Sequence, residues 1–184
     1  MLSCVPTKDV VATSLLSKRW RSLLSNKAPV LDYLHLYLGG ECPIVDIGLW
    51  IEIAVTRHVR ELEISIPTSK EGRSVGLPSS VYTSETLESL TLSNCVLLDV
   101  PVNVCLPSLK SLSLELVDYI DNASLPHLLS GCPNLEVLFL QRYDGEATTS
   151  STVVVPSLQR LTIWDTSSAT CGRFVIDVPF FEVP

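Results

Sequence analysis

Three histidines, six cysteines and one basic-aromatic run are the residues of this 184-residue chain whose types could carry chemistry. His35, His58 and His127 would act as acids or bases only beside a nucleophile or carboxylate partner. None of them stands in a nucleophile elbow, a paired acidic motif or a phosphate-binding loop. No catalytic residue is assigned: His35 reads as a surface residue of a strand and His58 as the end of a helix. Cys4, Cys42, Cys95, Cys105, Cys132 and Cys171 never fall at the two-residue spacing that brings two sulfurs to one centre. They read as buried, reduced thiols of an intracellular protein, and neither a metal nor a cofactor is expected. Lys18, Arg19, Trp20 and Arg21 could neutralise phosphates, but a net charge of −7 and a pI near 4.9 argue against a nucleic-acid platform. Pro6, Lys8 and Asp9 interrupt any secretory leader, so the acceptor-like Asn122, Ala123, Ser124 triplet is read as chance. No apolar run approaches the roughly 20 residues that span a bilayer, so no membrane contact is expected.

The elements that would position such residues are written as a repeat. "PSLKSLSLELV" (Pro107 to Val117) returns as "PSLQRLTIWDT" (Pro156 to Thr166), with "PNLEVLFLQRY" (Pro133 to Tyr143) between them. The pattern L-x-x-L-x-L, with other aliphatics allowed, occurs six times, beginning at Leu31, Val59, Leu87, Leu109, Leu135 and Leu158. The starts are 28, 28, 22, 26 and 23 residues apart. That interval matches the ~20–29-residue period of leucine-rich repeats. The closing L-x-L of each copy alternates as a strand does, with both aliphatics on one face. One such strand cannot bury its own face, whereas stacked coils join the leucines into one core. Leu90, Leu92, Leu112, Leu114, Leu138, Leu140, Leu161 and Ile163 are therefore predicted to be buried in adjacent parallel strands. The repeats are irregular, since only Cys95 holds the consensus cysteine position. Gly39, Pro67, Val117, Tyr143 and Thr166 stand there in the others.

Between strands, Ile47, Trp50, Ile51, Ala54, Val55 and His58 fall at helical spacing. "SLPHLLSGCP" reads as a short helix with Ser124 as N-cap and Gly131 as C-cap, and "TSKEGRSVGLPSS" reads as a loop. The fold class is α/β, a solenoid whose curved parallel sheet carries irregular helices and loops on its convex side. The amino-terminal stretch follows different rules: two amphipathic turns or short helices fit it, with Thr7 as a cap. Residues 1–27 sum to +4 and residues 28–184 to −11.

The stretch "VPTKDVVATSLLSKRWRSL" resembles the C-terminal half of the F-box of plant F-box/leucine-rich-repeat proteins. "KAPVLDYLHLYLG", "WIEIAVTRHVRELEI", "YTSETLESLTLSNCVLLDVP", "CLPSLKSLSLELVDY" and "LLSGCPNLEVLFLQR" resemble that family's repeats. The resemblance covers nearly the whole chain. It implies a partial F-box over residues 1–27 and about six irregular repeats over residues 28–184. It departs from the pattern in the helix that opens an F-box, in the short "RSLLSN" link before the repeats, and in the FBD domain that often ends such proteins. The function it implies is substrate reception in an SCF ubiquitin ligase, non-enzymatic and located in the cytoplasm or nucleus. The F-box would dock on a Skp-type adaptor, and through it a cullin, while the repeats hold a protein substrate. Pro6, Val10, Val11, Leu16, Arg19, Trp20 and Leu24 would form the adaptor face. The other reading is an interaction module or truncated relative that no longer binds the adaptor.

Strand alternation also names a partner face. Residues between the leucines form one strip, His35, Glu63, Thr91, Ser113, Phe139 and Thr162. Those just beyond form a second, Tyr37, Ser65, Ser93, Glu115, Gln141 and Trp164. Most are small or polar, as a solvated face would be. Phe139 and Trp164 would make an apolar patch, so Phe139, Gln141, Thr162 and Trp164 are the candidate partner site.

Overall fold

The computed structural model of the chain describes residues 31–37, 44–66, 74–94, 96–142, 152–165 and 175–177. In chain order its elements are β1 (Tyr33–Tyr37), α1 (Ile44–Thr56), β2 (Glu61–Ile66), β3 (Val75–Gly76), a 3-10 turn (Ser79–Thr83), β4 (Ser89–Asn94) and β5 (Val96–Leu98). Then come β6 (Ser111–Glu115), β7 (Asp118–Tyr119), α2 (Ser124–Ser130), β8 (Val137–Arg142), β9 (Thr152–Val154), β10 (Arg160–Asp165) and β11 (Val175–Asp177).

The architecture is mixed α/β around one parallel sheet, ordered β1-β2-β4-β6-β8-β10. Its register sets like against like: Leu34, Leu62, Leu90, Leu112, Leu138 and Leu161 form one row. Leu36, Ile64, Leu92, Leu114, Leu140 and Ile163 form the next. From Leu34 to Leu140 both rows are buried, as strand alternation predicts. The last pair differs from the expectation: Leu161 is only half-buried and Ile163 is 39% exposed. β10 ends the strand order, with a neighbour on one side only among the described residues, yet β1 at the opposite edge keeps Leu34 and Leu36 buried, so edge position alone does not account for the difference.

Two small parallel ladders, β3-β5-β7 and β9-β11, accompany the main sheet. The chain reaches β5 and β7 through corners at Asn94 (φ 67°) and Leu116 (φ 54°). Asn94 is the last residue of β4 and Leu116 directly follows β6; both are in the left-handed region, which a leucine occupies at a steric cost. The stretch expected as a loop, "TSKEGRSVGLPSS", thus contains a strand, and the 3-10 turn that begins at its end buries Val81 and Tyr82. Residues 67–73 lie outside the described residues.

Helix α1 buries Ile47, Trp50, Ile51 and Ala54, the stripe its spacing predicts, with Val55 half-buried. It ends at His58, whose φ of 60° lets Val59 N–H reach Ala54 O at 3.1 Å and His58 N–H reach Val55 O at 2.9 Å. This is the 6→1 and 5→2 hydrogen-bond pair of a Schellman motif, with histidine where glycine is usual. In α2 the expected cap is corrected. Ser124 is itself the first helical residue, and its hydroxyl donates to Asp121 Oδ1 (2.7 Å), which also accepts from Ala123 N–H (3.0 Å). The Ser124 hydroxyl bond chiefly holds the Asp121 carboxyl below its ordinary range, so this anchor is intact above the usual carboxylate pKa and weakens as pH falls through the depressed one. Gly131 follows α2 as expected, but for room rather than for a left-handed turn. A Cβ there would stand 2.3 Å from Val104 Cγ1.

Along the rim where the strands begin, each coil hooks onto the last. The carbonyls of Asp32, Arg60, Glu88, Lys110 and Glu136 each accept two N–H groups from the next coil, at 2.7–3.1 Å. These five side chains alternate in sign. Arg60 Nε donates to Glu88 Oε1 at 2.8 Å, and Lys110 Nζ lies 3.9 Å from Glu88 Oε2.

The packing yields a direct test. Leu112 is fully buried in the interior strand β6, so Leu112→Ala is expected to lower the free energy of unfolding by about 2–5 kcal/mol through the cavity it leaves. Denaturant titration measures this, and an unchanged curve would contradict the register.

Candidate functional site

The leucine rows settle where the opposite face must be. Register places His35, Glu63, Thr91, Ser113, Phe139 and Thr162 in one line across six strands, with Tyr37, Ser65, Ser93, Glu115, Gln141 and Trp164 in the next. All are exposed or half-exposed except Ser93, which is buried. Phe139, Gln141, Thr162 and Trp164, the partner site expected from sequence, are thus brought together. The Phe139 and Trp164 rings sit 6.2 Å apart at 48°, and Trp164 is 60% exposed.

The first four coils carry a different chemistry that alternation alone did not disclose. Tyr37 Oη donates to Glu63 Oε1 at 2.5 Å, and His35 Nδ1 lies 3.4 Å from Glu63 Oε2, with the Tyr33 ring 6.2 Å from that of His35. The Glu63 hydrogen bond, helped by burial, pushes the Tyr37 phenol up to about 12, so it stays a donor. Two coils on, Glu115 accepts from Ser93 Oγ and Ser113 Oγ, both at 3.1 Å. Both carboxylates are therefore aimed by neighbouring side chains, chiefly neutral hydroxyls. His35 and Glu63, like Ser93 and Glu115, stand at matched repeat positions, whereas Tyr37 lies opposite Ser65 and reaches Glu63 diagonally, and these pairs appear only once the register is known.

The remaining chemistry-bearing residues do not converge. His35 is on β1, His58 on the turn after α1, and His127 in the last turn of α2. No group of three His, Cys, Asp or Glu among the described residues could hold a metal ion. A shallow rim pocket is lined by Glu88, Pro107, Ser108, Lys110, Asn134 and Glu136. Its amide and hydroxyl are spent on backbone, Asn134 Nδ2 donating to Pro107 O (2.8 Å) and Ser108 Oγ to Glu85 O (2.5 Å). Of the thiols, Cys132 is buried as expected, and burial pushes it up to about 12; Cys105 is exposed, against expectation, because it lies in the connection between β5 and β6. Cys4, Cys42, Cys95 and Cys171 lie outside the described residues, as do Pro6, Val10, Val11, Leu16, Arg19, Trp20 and Leu24. No described helix is long and apolar enough to cross a membrane.

Comparison with known proteins adds two family matches and a set of relatives. Residues 47–182 match the family described as FBD-associated F-box protein At5g56370, LRR repeats, and residues 2–31 match the F-box domain. The F-box/FBD/LRR-repeat protein At4g26340 of Arabidopsis thaliana is 54% identical over 208 positions, covering 97% of this chain and 50% of the relative. The F-box/LRR-repeat protein At3g26922 of the same plant is 45% identical over 210 positions, covering 97% and 68%. The F-box/FBD/LRR-repeat protein At3g52680, also of Arabidopsis thaliana, is 42% identical, covering 99% and 47%. The chain spans about half the length of most of these curated relatives. The aligned stretches exceed the 184 residues present, so the relatives carry residues inside the matched region that have no counterpart here. No solved structure matches the chain.

Two outcomes follow from the geometry. Replacing Phe139 and Trp164 together by Ser removes rings from the face opposite the leucine rows, so the thermal midpoint should fall only slightly, whereas unfolding would show that the rings are core. Alkylation at pH 8 with peptide mapping by mass spectrometry should mark Cys105 and spare Cys132 in the folded chain. The raised Cys132 thiol contributes stability that is complete below ~8.5, the unfolded value, and is lost as pH climbs toward about 12.

Proposed function

The chain belongs to the F-box/LRR-repeat proteins, and on that premise we propose that it is the substrate-recognition subunit of an SCF-type ubiquitin ligase. Its F-box segment docks on a Skp-type adaptor, and through it a cullin, while the repeats hold the protein to be ubiquitinated. The observation that carries this reading is the F-box match over residues 2–31 placed directly ahead of a leucine-stacked sheet whose opposite face is open. In it residues 1–27 are the partial F-box, residues 28–184 are the repeat domain, and the stacked parallel coils form a curved solenoid with the open strips on its concave side. The role is binding, without catalysis and without a cofactor, in the cytoplasm or nucleus.

A second reading has its own support. The relatives hold residues inside the matched region that this chain lacks, so the chain would be an interaction module that no longer engages the adaptor.

Co-precipitation with a Skp-type adaptor separates the two. In the ligase reading the wild type captures the adaptor, Trp20→Ala and Leu16→Ala lose most of it, and Lys18→Ala loses little, because buried apolar anchors carry more binding energy than rim charges. Capture by Trp20→Ala at the wild-type level would remove Trp20 from the docking face. A wild type that captures nothing would select the second reading.

A further inference from the structure

The open face is graded. Across the two strips, carboxylates stand on β2 and β6 (Glu63, Glu115), an aromatic pair stands on β8 and β10 (Phe139, Trp164), and neither strip holds a lysine or arginine. The row before them carries exposed Glu61, which begins β2, and at its other end exposed Arg160, which begins β10.

Spacing gives the grading a direction. Glu63 is on β2, Glu115 on β6 and Trp164 on β10, so each is two strands from the next in the order β1-β2-β4-β6-β8-β10. Neighbouring strands lie ~4.8 Å apart and a strand rises ~3.3 Å per residue, so Glu115 and Trp164, in one strip, are about 10 Å apart, while Glu63, one strip over, is about 12 Å from Glu115. A polyproline-type segment rises ~3.1 Å per residue with three residues per turn, so its i, i+3 and i+6 side chains share one edge at intervals of roughly 9 Å. A pleated strand would not serve as well, because its i and i+3 side chains point to opposite faces.

We propose that this face holds an extended, polyproline-like protein segment with Lys or Arg at positions i and i+3 and an aromatic or large aliphatic residue at i+6, the two cations on Glu63 and Glu115 and the apolar residue against Trp164 and Phe139. The proposal rests on the ligase reading only in calling that segment the substrate's; its chemistry comes from the face. The hydroxyls of Tyr37, Ser93 and Ser113 fix both carboxylates before a ligand arrives, which lowers the ordering cost of binding. Trp164, 60% exposed beside Phe139, offers the apolar end a flat surface that now meets water.

The test is fluorescence anisotropy of a labelled peptide, Arg-Ser-Pro-Arg-Ser-Pro-Trp, titrated with the full chain in the absence of any adaptor. Three comparisons are expected to weaken binding by roughly tenfold or more: the same peptide with Glu for Arg, Glu63→Gln combined with Glu115→Gln, and Trp164→Ser. Added salt should weaken it as well. Equal binding of the Arg and Glu peptides to the wild type, or no binding of either, overturns the proposal without relying on any variant. Unchanged affinity in the double Gln variant at a wild-type melting midpoint overturns it too. Adaptor co-precipitation on the same samples keeps the readings apart. A wild type that captures adaptor but does not prefer the cationic peptide refutes this inference alone. A wild type that prefers the cationic peptide but captures no adaptor supports the inference while refuting the ligase reading.

Discussion

Everything in this protein hangs on the in-register stacking of parallel strands that bury one face each. A strand of five or six residues with two leucines on one side cannot shield them alone, and burying a leucine is worth about 1.5–3 kcal/mol only when the cover is complete. The register provides that cover by placing leucine beside leucine from β1 through β8. Each inner strand depends on two neighbours, so the core is continuous and the coils are not independently stable. The strained corner at Leu116 and the paired N–H groups on each rim carbonyl are local arrangements that this alignment imposes and offsets.

The same constraint explains what is free to vary. The connections need only return the chain and cover the leucine rows, so one uses a thirteen-residue helix, another a 3-10 turn, and another a seven-residue helix anchored by Asp121. Coil lengths differ accordingly, although the strand triplets do not. On the rim, five stacked side chains of alternating sign place each charge next to opposite ones, where a run of like charge would repel. Such exposed pairs add little stability each. Their plainer effect is on register, since slipping one coil by a repeat would set like charges side by side.

Legibility in the sequence followed from the same physics. The six strands and their buried rows could be read because a repeated L-x-x-L-x-L carries both the strand period and the coil period. Helix α1 could be read because Ile47, Trp50, Ile51 and Ala54 share a stripe. The misreadings concern cover and local alternatives. Ile163 has the same local pattern as Leu140, and nothing within a motif says how much of it the rest of the chain will cover. Ser124 is a good cap by type, yet the chain leaves β7 so that Ala123 takes the cap position and the Ser124 hydroxyl, inside the helix, donates to Asp121 instead. Two-residue strands such as Val75–Gly76 and Asp118–Tyr119 have no period to detect. The candidate face was half legible: Phe139 and Trp164 stand out by type, whereas the Tyr37–Glu63 and Ser93–Glu115 pairs join residues more than twenty positions apart and appear only through the register.

Core and open face are thereby assigned to alternate residues of the same strand. In β6, Leu112 and Leu114 belong to the core while Ser113 and Glu115 belong to the face; in β8, Leu138 and Leu140 flank Phe139 in the same way. A substitution at a face position leaves the leucine rows untouched and costs the fold little. A substitution at a core position is felt by the coils on either side. A scaffold divided in this manner can change the charge or aromatic content of its open face one residue at a time without losing its fold. The fixed strand spacing meanwhile keeps the distances between those residues constant, so what such a protein would recognise is set by which side chain occupies each position on that ruler rather than by any change in its shape.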